Sequence, residues 1–550
     1  MGEGWAVGEG LTGGGAPFEV ERGEGGGLAY VGGVRTLTEF VEATWGYGDR
    51  VFLVGEGRAY TYREFFAAAS ALARRLVDGY GVRSGERVGI VMRNHPEWVI
   101  GFWGVQLAGL VAVPLNAWWT EGELAYALDD CEPAVLLVDG ERLGSVQAWA
   151  GARGARVVVF HGDGGGAGSA GARIERYEDW EAPDPYGAPP AVDVRGEDDA
   201  TIIYTSGTTG RPKGAVATQL AQVGAAVHAR YQAAAATLAR GGVPGVGAAP
   251  VALMTFPLFH VAAFTTLYPV MATGGTLVLM RKWDAAQAVR LIDEHRVSHF
   301  SGVPTTALEL LDAAGGAGGG LASLTNLSTG GAAAPPELVA RLTARYGTRI
   351  EPRTGYGLTE TSGGVLASFG DAYRADPLGV GLPAPAVEVR IDEGGELLLR
   401  GQSLVRGYWR DPEATAAAFT PDGWLRTGDL AVEVDGRIRI VDRIKDVVIR
   451  GGENVYGVEV EAVLHEHPAV ADAAVVGVPH PVLGEEVAAV VQVRAGAAVT
   501  GEEVREHVRG RLAAFKVPAH VVFGEVPRSL TGKILKRELR GAVHRQVRGG

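Results

Sequence analysis

Short apolar runs alternate with longer amphipathic stretches along much of this chain. Residues 87–92 and 111–114 are almost wholly apolar and predict buried strands. Residues 95–110 predict an apolar helix between them. Residues 120–130 predict a second helix, opened by Thr120 and Glu123 at the spacing of a capping box. Residues 133–139 and 156–160 read as further strands. Apolar runs without polar alternation mark parallel strands covered on both faces, so the pattern predicts a layered α/β fold. A second set follows at 253–257, 276–280, 299–303 and 326–329, with a helix from Asp284 whose Gln287 predicts another capping box. From 378 to 442, short alternating strands with Gly and Asp turns predict a small β-rich subdomain or barrel. Beyond 442 the pattern returns to α+β. It ends in a basic helix, 531–547, expected to be a solvated face.

Composition changes the picture in three places. A chain of 550 residues holds more than one domain. A net charge of -13 argues against a nucleic-acid or anionic-membrane partner, so any phosphate binding must be local. The lone Cys131 excludes an internal disulfide and a cysteine-based zinc site. Residues 1–27 read as a loose Gly-rich, disordered tail without a secretory pattern, and no apolar run reaches membrane-spanning length. The expected compartment is cytoplasmic.

Candidate chemistry begins at Tyr204-Thr-Ser-Gly-Thr-Thr-Gly-Arg-Pro-Lys-Gly214. Hydroxyls, glycines and one ammonium after an apolar run suit a polyphosphate. It is not a Walker A loop, because Gly214 follows Lys213. Glycine is abundant at 83 residues, but lysine is scarce. Only Lys213, Lys282, Lys445, Lys516, Lys533 and Lys536 occur, so a retained lysine is a candidate for work that arginine cannot do. Lys213 and Lys533 are read that way, and Lys282 and Lys536 as ordinary surface residues. Thr354-Gly-Tyr-Gly-Leu-Thr-Glu360 offers an aromatic face and a carboxylate suited to Mg²⁺. Gly423-Trp-Leu-Arg-Thr-Gly-Asp429 puts a carboxylate in a turn, able to accept from both hydroxyls of a ribose. Asp442–Asn454 joins a charged turn to a glycine loop. Pro527-Arg-Ser-Leu-Thr-Gly-Lys533 sets a lysine just after the expected helix start.

With these motifs in this order, the chain resembles the acyl-activating, adenylate-forming superfamily across about residues 35–545. The resemblance implies a large N-terminal AMP-binding domain (28–442) of two layered α/β subdomains plus a small β-barrel-like subdomain. It also implies a hinge (443–447) and a small mobile α+β C-terminal domain (448–550). It implies ATP, Mg²⁺ and coenzyme A. Thr205, Ser206, Gly207, Thr208, Thr209, Gly210 and Lys213 would hold the β- and γ-phosphates. Gly330, Gly331, Ala332 and Tyr356, with Gly357, would enclose adenine. Thr359 and Glu360 would serve phosphate and Mg²⁺, with Thr208 as a further metal ligand. Asp429 and Arg443 would take the ribose. Lys533 would contact the substrate carboxylate and the α-phosphate. Lys445 would be the pivot, and Gly451 and Gly452 would meet pantetheine. His260 would gate an acyl pocket that includes Gly302, Val303 and Gly355. A homodimer and a protein acetyltransferase acting on Lys533 are the expected macromolecular partners. Two positions depart from the family pattern: Asp442 replaces a usual Gly, and Gly457 a common Pro.

The pocket segments 260–265, 301–305, 330–333 and 355–364 hold no arginine and no acid besides Glu360. Val261, Ala262 and Ala263 follow His260, so nothing there would pair an amino-acid ammonium, whose unpaired burial is costly. A fatty, aryl or polycyclic acid fits better. The expected activity is a carboxylic acid–CoA ligase on a medium- or long-chain fatty or bulky apolar acid. The alternative is an enzyme that loads an acyl or aryl group onto a carrier protein.

Overall fold

The computed structural model describes residues 10–23, 26–55, 57–162, 171–205, 211–316, 320–529 and 532–549. The first apolar set forms an eight-stranded sheet whose centre is parallel. Strands Val111–Pro114, Arg87–Val91, Val135–Asp139 and Arg156–Phe160 lie side by side there. The second set forms the parallel part of a thirteen-stranded sheet: Thr276–Leu279, Val251–Met254, His299–Gly302, Asn326–Thr329 and Glu351–Leu358. Between the two sheets runs helix Pro96–Leu107, in which every residue is buried, Trp98 and Trp103 completely. A helix apolar on all sides has to be an interior one. It shares one core with Phe52, Val88, Phe264 and Tyr268, which fuses the two halves into a single body.

Local signals act where they were expected. Thr120 and Glu123 form a complete capping box on helix Glu121–Cys131. Asp284 caps helix Ala285–Glu294 through the Gln287 N–H at 2.6 Å, but without the return bond that would complete a box. The β-rich unit is present as antiparallel strands Gly379–Pro383, Val387–Ile391, Glu396–Gly401, Leu425–Val434 and Arg437–Arg443. It is continuous with the large sheet, because Gly379–Pro383 also pairs with Gly363–Phe369.

The C-terminal unit is built on the long hairpin of Val470–His480 and Gly484–Val493, covered by helices Gly457–His465, Gly501–Arg509 and Lys536–Gly549.

Three expectations need correction. Residues 10–23 are not a loose tail. Leu11 and Phe18 are buried against Ala234 and Ala235 of helix Gln219–Ala239, and Val20–Arg22 pairs with Leu28–Tyr30. Residues 1–9, 24 and 25 lie outside the described residues. The C-terminal helix begins at Lys536 rather than 531, so Lys533 precedes it in a tight turn closed by an Arg528–Ile534 bridge. That helix is not simply solvated: Leu539 and Val543 are buried, and Lys536 is an interior residue.

Candidate active site

Strands Asp199–Tyr204 and Gly214–Thr218 pair antiparallel, so the phosphate-type loop is the tip of a hairpin. Thr205 N–H donates to the Lys213 carbonyl at 2.9 Å and closes its base. Ser206, Gly207, Thr208, Thr209 and Gly210 lie outside the described residues. Lys213 Nζ sits 5.2 Å over the Tyr408 ring, and the Tyr408 hydroxyl donates to Glu360 Oε1 at 2.6 Å. Tyr408 comes from strand Gly407–Tyr408, which extends the same sheet beside Gly214–Thr218. One tyrosine thus carries a cation over its ring and a carboxylate at its hydroxyl. The other Glu360 oxygen has no side-chain partner among the described residues. A hard oxygen donor left open beside a phosphate-type loop fits Mg²⁺.

Asp429 lies in strand Leu425–Val434, not in a turn, directly opposite Arg443 in the antiparallel register. It is 3% exposed. Its carboxylate accepts from the Tyr356 hydroxyl at 2.6 Å and pairs with Arg443 Nε at 3.2 Å. Burial and the Asp429 charge hold Tyr356 well above its ordinary pKa, so it stays a neutral donor. The two partners leave Asp429 spare lone pairs for further donors. Gly357 is fixed by crowding: a Cβ there would collide with the Gly363 carbonyl of the adjacent strand. Gly331 takes φ +80°, which favours glycine.

These groups face a cavity of about 1240 Å³ between the two domains. Its lining includes His260, Gly330, Gly331, Ala332, Gly355, Tyr356, Gly357, Thr359, Asp429, Arg443, Lys445 and Lys533. Lys533 is presented by a turn that is firmly tied back: Arg528 makes two bonds of 2.7 and 2.8 Å to Asp472 and a third of 2.7 Å to the Gly532 carbonyl. Gly532 has φ +76°, and a Cβ there would stand 3.0 Å from Val303 Cβ. Burial, aided by Arg443, pushes the Lys533 pKa down to about 8 against the pull of Asp429 and Glu360. His260 Nδ1 accepts from the Ala262 N–H at 3.2 Å. Burial, with the Lys533 charge nearby, pushes the His260 pKa down to about 3, so its ring is neutral. Lys445 is half-buried beside Arg443 in the turn Ile444–Asp446, and its carbonyl accepts from Arg540 at 3.1 Å.

The sequence matches the AMP-binding enzyme family over residues 40–409, and that family's C-terminal domain over 459–533. The chain belongs to the AMP-binding enzyme family. It is 35% identical to a feruloyl-CoA synthase of Amycolatopsis sp over 498 residues, 88% of this chain and 94% of that one. It is 36% identical to a long-chain-fatty-acid–CoA ligase of Thermus thermophilus over 522 residues, 88% of this chain and 90% of that one. The structure of o-succinylbenzoate CoA synthetase from Bacillus subtilis, in complex with its acyl-adenylate intermediate, superimposes with a TM-score of 0.75 at 25% identity. That match covers 91% of this chain and 97% of the other. The protein is an AMP-forming acid–thiol ligase of the acyl-CoA synthetase type, a class that uses ATP and coenzyme A. No helix among the described residues is long and apolar enough to cross a membrane.

Within the ligase, Gly451 and Gly452 are not brought to the cavity. They form the exposed tip of the hairpin between Val448–Arg450 and Glu453–Val455, both at positive φ. Gly302 and Val303 stand at the strand end beside the Lys533 turn. Sequence reasoning missed Tyr408, although Arg406-Gly-Tyr-Trp409 is a compact aromatic cluster. It also missed Arg353, which lies just outside the expected pocket segments and lines the cavity. Away from the cavity, His95, Glu97 and His161 gather potential metal ligands. Both Glu97 oxygens there are engaged, by Tyr60 and His161 at 2.6 and 2.7 Å, and the two imidazoles stack at 4.5 Å rather than converge.

Proposed function

We propose that this ligase activates a medium- or long-chain fatty or bulky apolar carboxylic acid in the cytoplasm and passes the acyl group to coenzyme A. The observation that carries the reading is that Lys533, Arg443 and Asp429 line one cavity, with Glu360 near enough for its charge to act on Lys533. In the first step the acid's carboxylate attacks the α-phosphorus of ATP, and pyrophosphate leaves. Two anions must meet, so the demand is charge handling and positioning. Lys533 has no carboxylate bonded to it among the described residues, and would bind the incoming carboxylate and the α-phosphate together. Asp429 would accept from the ribose hydroxyls, held in place by Tyr356 and Arg443. Lys213, steadied over Tyr408, would take the terminal phosphates. Mg²⁺, held through Glu360 and phosphate oxygens, would supply countercharge for pyrophosphate. His260, neutral and fixed by the Ala262 N–H, would close the acyl side against water.

In the second step a thiol attacks the acyl carbonyl and AMP leaves. Gly451 and Gly452 are remote from the cavity here, so we assign this conformation to adenylation. Rotation at Lys445 would withdraw Lys533 and bring the glycine tip to pantetheine. An acetyltransferase would have to reach Lys533 in that rotated state, because in this one it faces the cavity between the domains. Delivery to a carrier protein is the alternative second step.

A panel of fatty, aryl and polycyclic acids tests the reading, with pyrophosphate release and thioester formation measured separately. Adenylation of at least one apolar acid, followed by CoA thioester, is expected. Lys445→Pro, which fixes φ and removes a donor, should slow thioester formation more than adenylation. Equal mild losses would remove Lys445 as the pivot. Transfer to a carrier protein but not to CoA would favour the alternative.

A further inference from the structure

The sheet wall on the acyl side of the cavity is polar. Ser301 pairs with Ser328, and Ser328 with Arg353, on three adjacent parallel strands, so their side chains form one row across one face. His299, Asn326 and Glu351 form the next row. Gly330 and Gly355 begin the same face nearer the nucleotide side, and the serine–arginine row lies about 7 Å beyond them at the rise of a strand. His299, Ser301, Asn326, Ser328 and Arg353 all line the cavity.

The donors of this wall are underused. Arg353 Nε donates to Glu351 Oε1 at 2.5 Å, yet its side chain keeps 18% exposure, facing the cavity. Glu351 also pairs with Arg240 at 2.5 Å, so two guanidinium groups share one carboxylate. Asn326, with its amide oriented to match its neighbours, gives its carbonyl to Arg353 Nη2 at 2.8 Å and to His299 Nε2 at 3.2 Å. His299 adds no compensating charge: burial, with Arg353 and Arg240 nearby, pushes it down to about 3. The Ser301 and Ser328 hydroxyls have no protein partner among the described residues. Across the cavity, helix Gln219–Ala239 presents Ala229, Gln232 and Ala233, and the Gln232 amide nitrogen also has no partner among the described residues. An acyl pocket for a plain hydrocarbon gains nothing from such groups, since unpaired donors cost free energy when apolar surface covers them.

We propose that the acid has an oxygen function at its far end, a hydrogen-bond acceptor that Arg353, Ser301, Ser328 and Gln232 read, and an apolar body between that end and its reacting carboxylate. The proposal rests on the ligase reading above and sharpens its substrate class. A site built around donors rejects the analogue that lacks the acceptor much more strongly than an apolar slot rejects an extra methylene.

Four 3-phenylpropanoates with para hydroxyl, methoxy, carboxylate or methyl groups test it, together with decanoate. The readout is kcat/KM for pyrophosphate release, with CoA thioester measured in parallel. At least one oxygenated acid should exceed the methyl compound by about 100-fold. Preference for hydroxyl or methoxy identifies a neutral acceptor, and preference for carboxylate an anion. Arg353→Met should bring the ratio towards one. Because that change leaves Glu351 short of a partner, Ser301→Ala/Ser328→Ala serves as a second variant that keeps the ion pair, and it should lower the ratio by about tenfold. If the methyl compound or decanoate is used as well as every oxygenated acid, the proposal is overturned and the ligase reading stands. If no acid gives pyrophosphate or thioester, the ligase reading itself fails.

Discussion

Lys533 and Lys536 are three residues apart, and both are interior, yet their surroundings differ in sign. Around Lys533 the cations Arg443 and Lys445 oppose its charge, the carboxylates Asp429 and Glu360 are engaged elsewhere, and its pKa falls to about 8. Lys536 suffers the same burial, but Glu461 at 2.9 Å and the nearby Asp442 more than offset it, and its pKa rises above the ordinary value. Asp442 also accepts from the Gly457 N–H, so strand Arg437–Arg443 is tied to the start of helix Gly457–His465. A buried cation short of countercharge is ready to receive an anion. One already supplied with carboxylates is a fastener.

Removing each lysine tests this contrast hardest. Lys533→Ala should lower adenylation by about 10³-fold, as loss of a buried transition-state charge partner does, while leaving thioester formation from supplied acyl adenylate largely intact. Equal loss of both half-reactions would erase the distinction. Lys536→Met should act on stability instead. It leaves Glu461 and Asp442 buried without their cation and should cost about 3–5 kcal/mol in denaturant unfolding, beyond any matched loss of adenylation. A variant as stable as the parent but inactive would reverse the two roles.

The smallest effect is in pH. In the role proposed for Lys533 the protonated form would be the working one, so kcat/KM for adenylation should fall as pH rises through about 8, by about tenfold per pH unit. Lys536, held above its ordinary value, should give no inflection there. Bound phosphates favour the ammonium, so the inflection in kcat should lie higher than that in kcat/KM. An inflection that survives in Lys533→Arg would belong to another group.

Much of this was legible in the sequence because the signals are local. Buried parallel strands show as unbroken apolar runs, as at Val135–Asp139, and Thr120 with Glu123 writes a helix start in four residues. The Lys533 motif stood out because lysine is scarce. Lys536 was misread by the same reasoning, since its partners Glu461 and Asp442 come from distant segments and no local pattern links them. Asp429 looked like a turn residue because a glycine precedes it, yet Gly428 at φ +72° sits inside a strand. Arg353 was hidden for another reason. Only the register of three strands reveals that it shares a face with Ser328 and Ser301.

The N-terminal segment has a consequence of its own. Helix Gln219–Ala239 turns Ala229, Gln232 and Ala233 towards the cavity, while Ala234 and Ala235 meet Leu11 and Phe18 on its outer side. Phe369 touches both, packing with that outer cluster and lining the cavity. The partition between cavity and outside is therefore a single helix thick, buttressed by a segment that contributes no residue to the cavity lining. Substitutions at Leu11 or Phe18 would shift the calibre of the acyl chamber from behind, giving selectivity a dial that turns without touching the nucleotide.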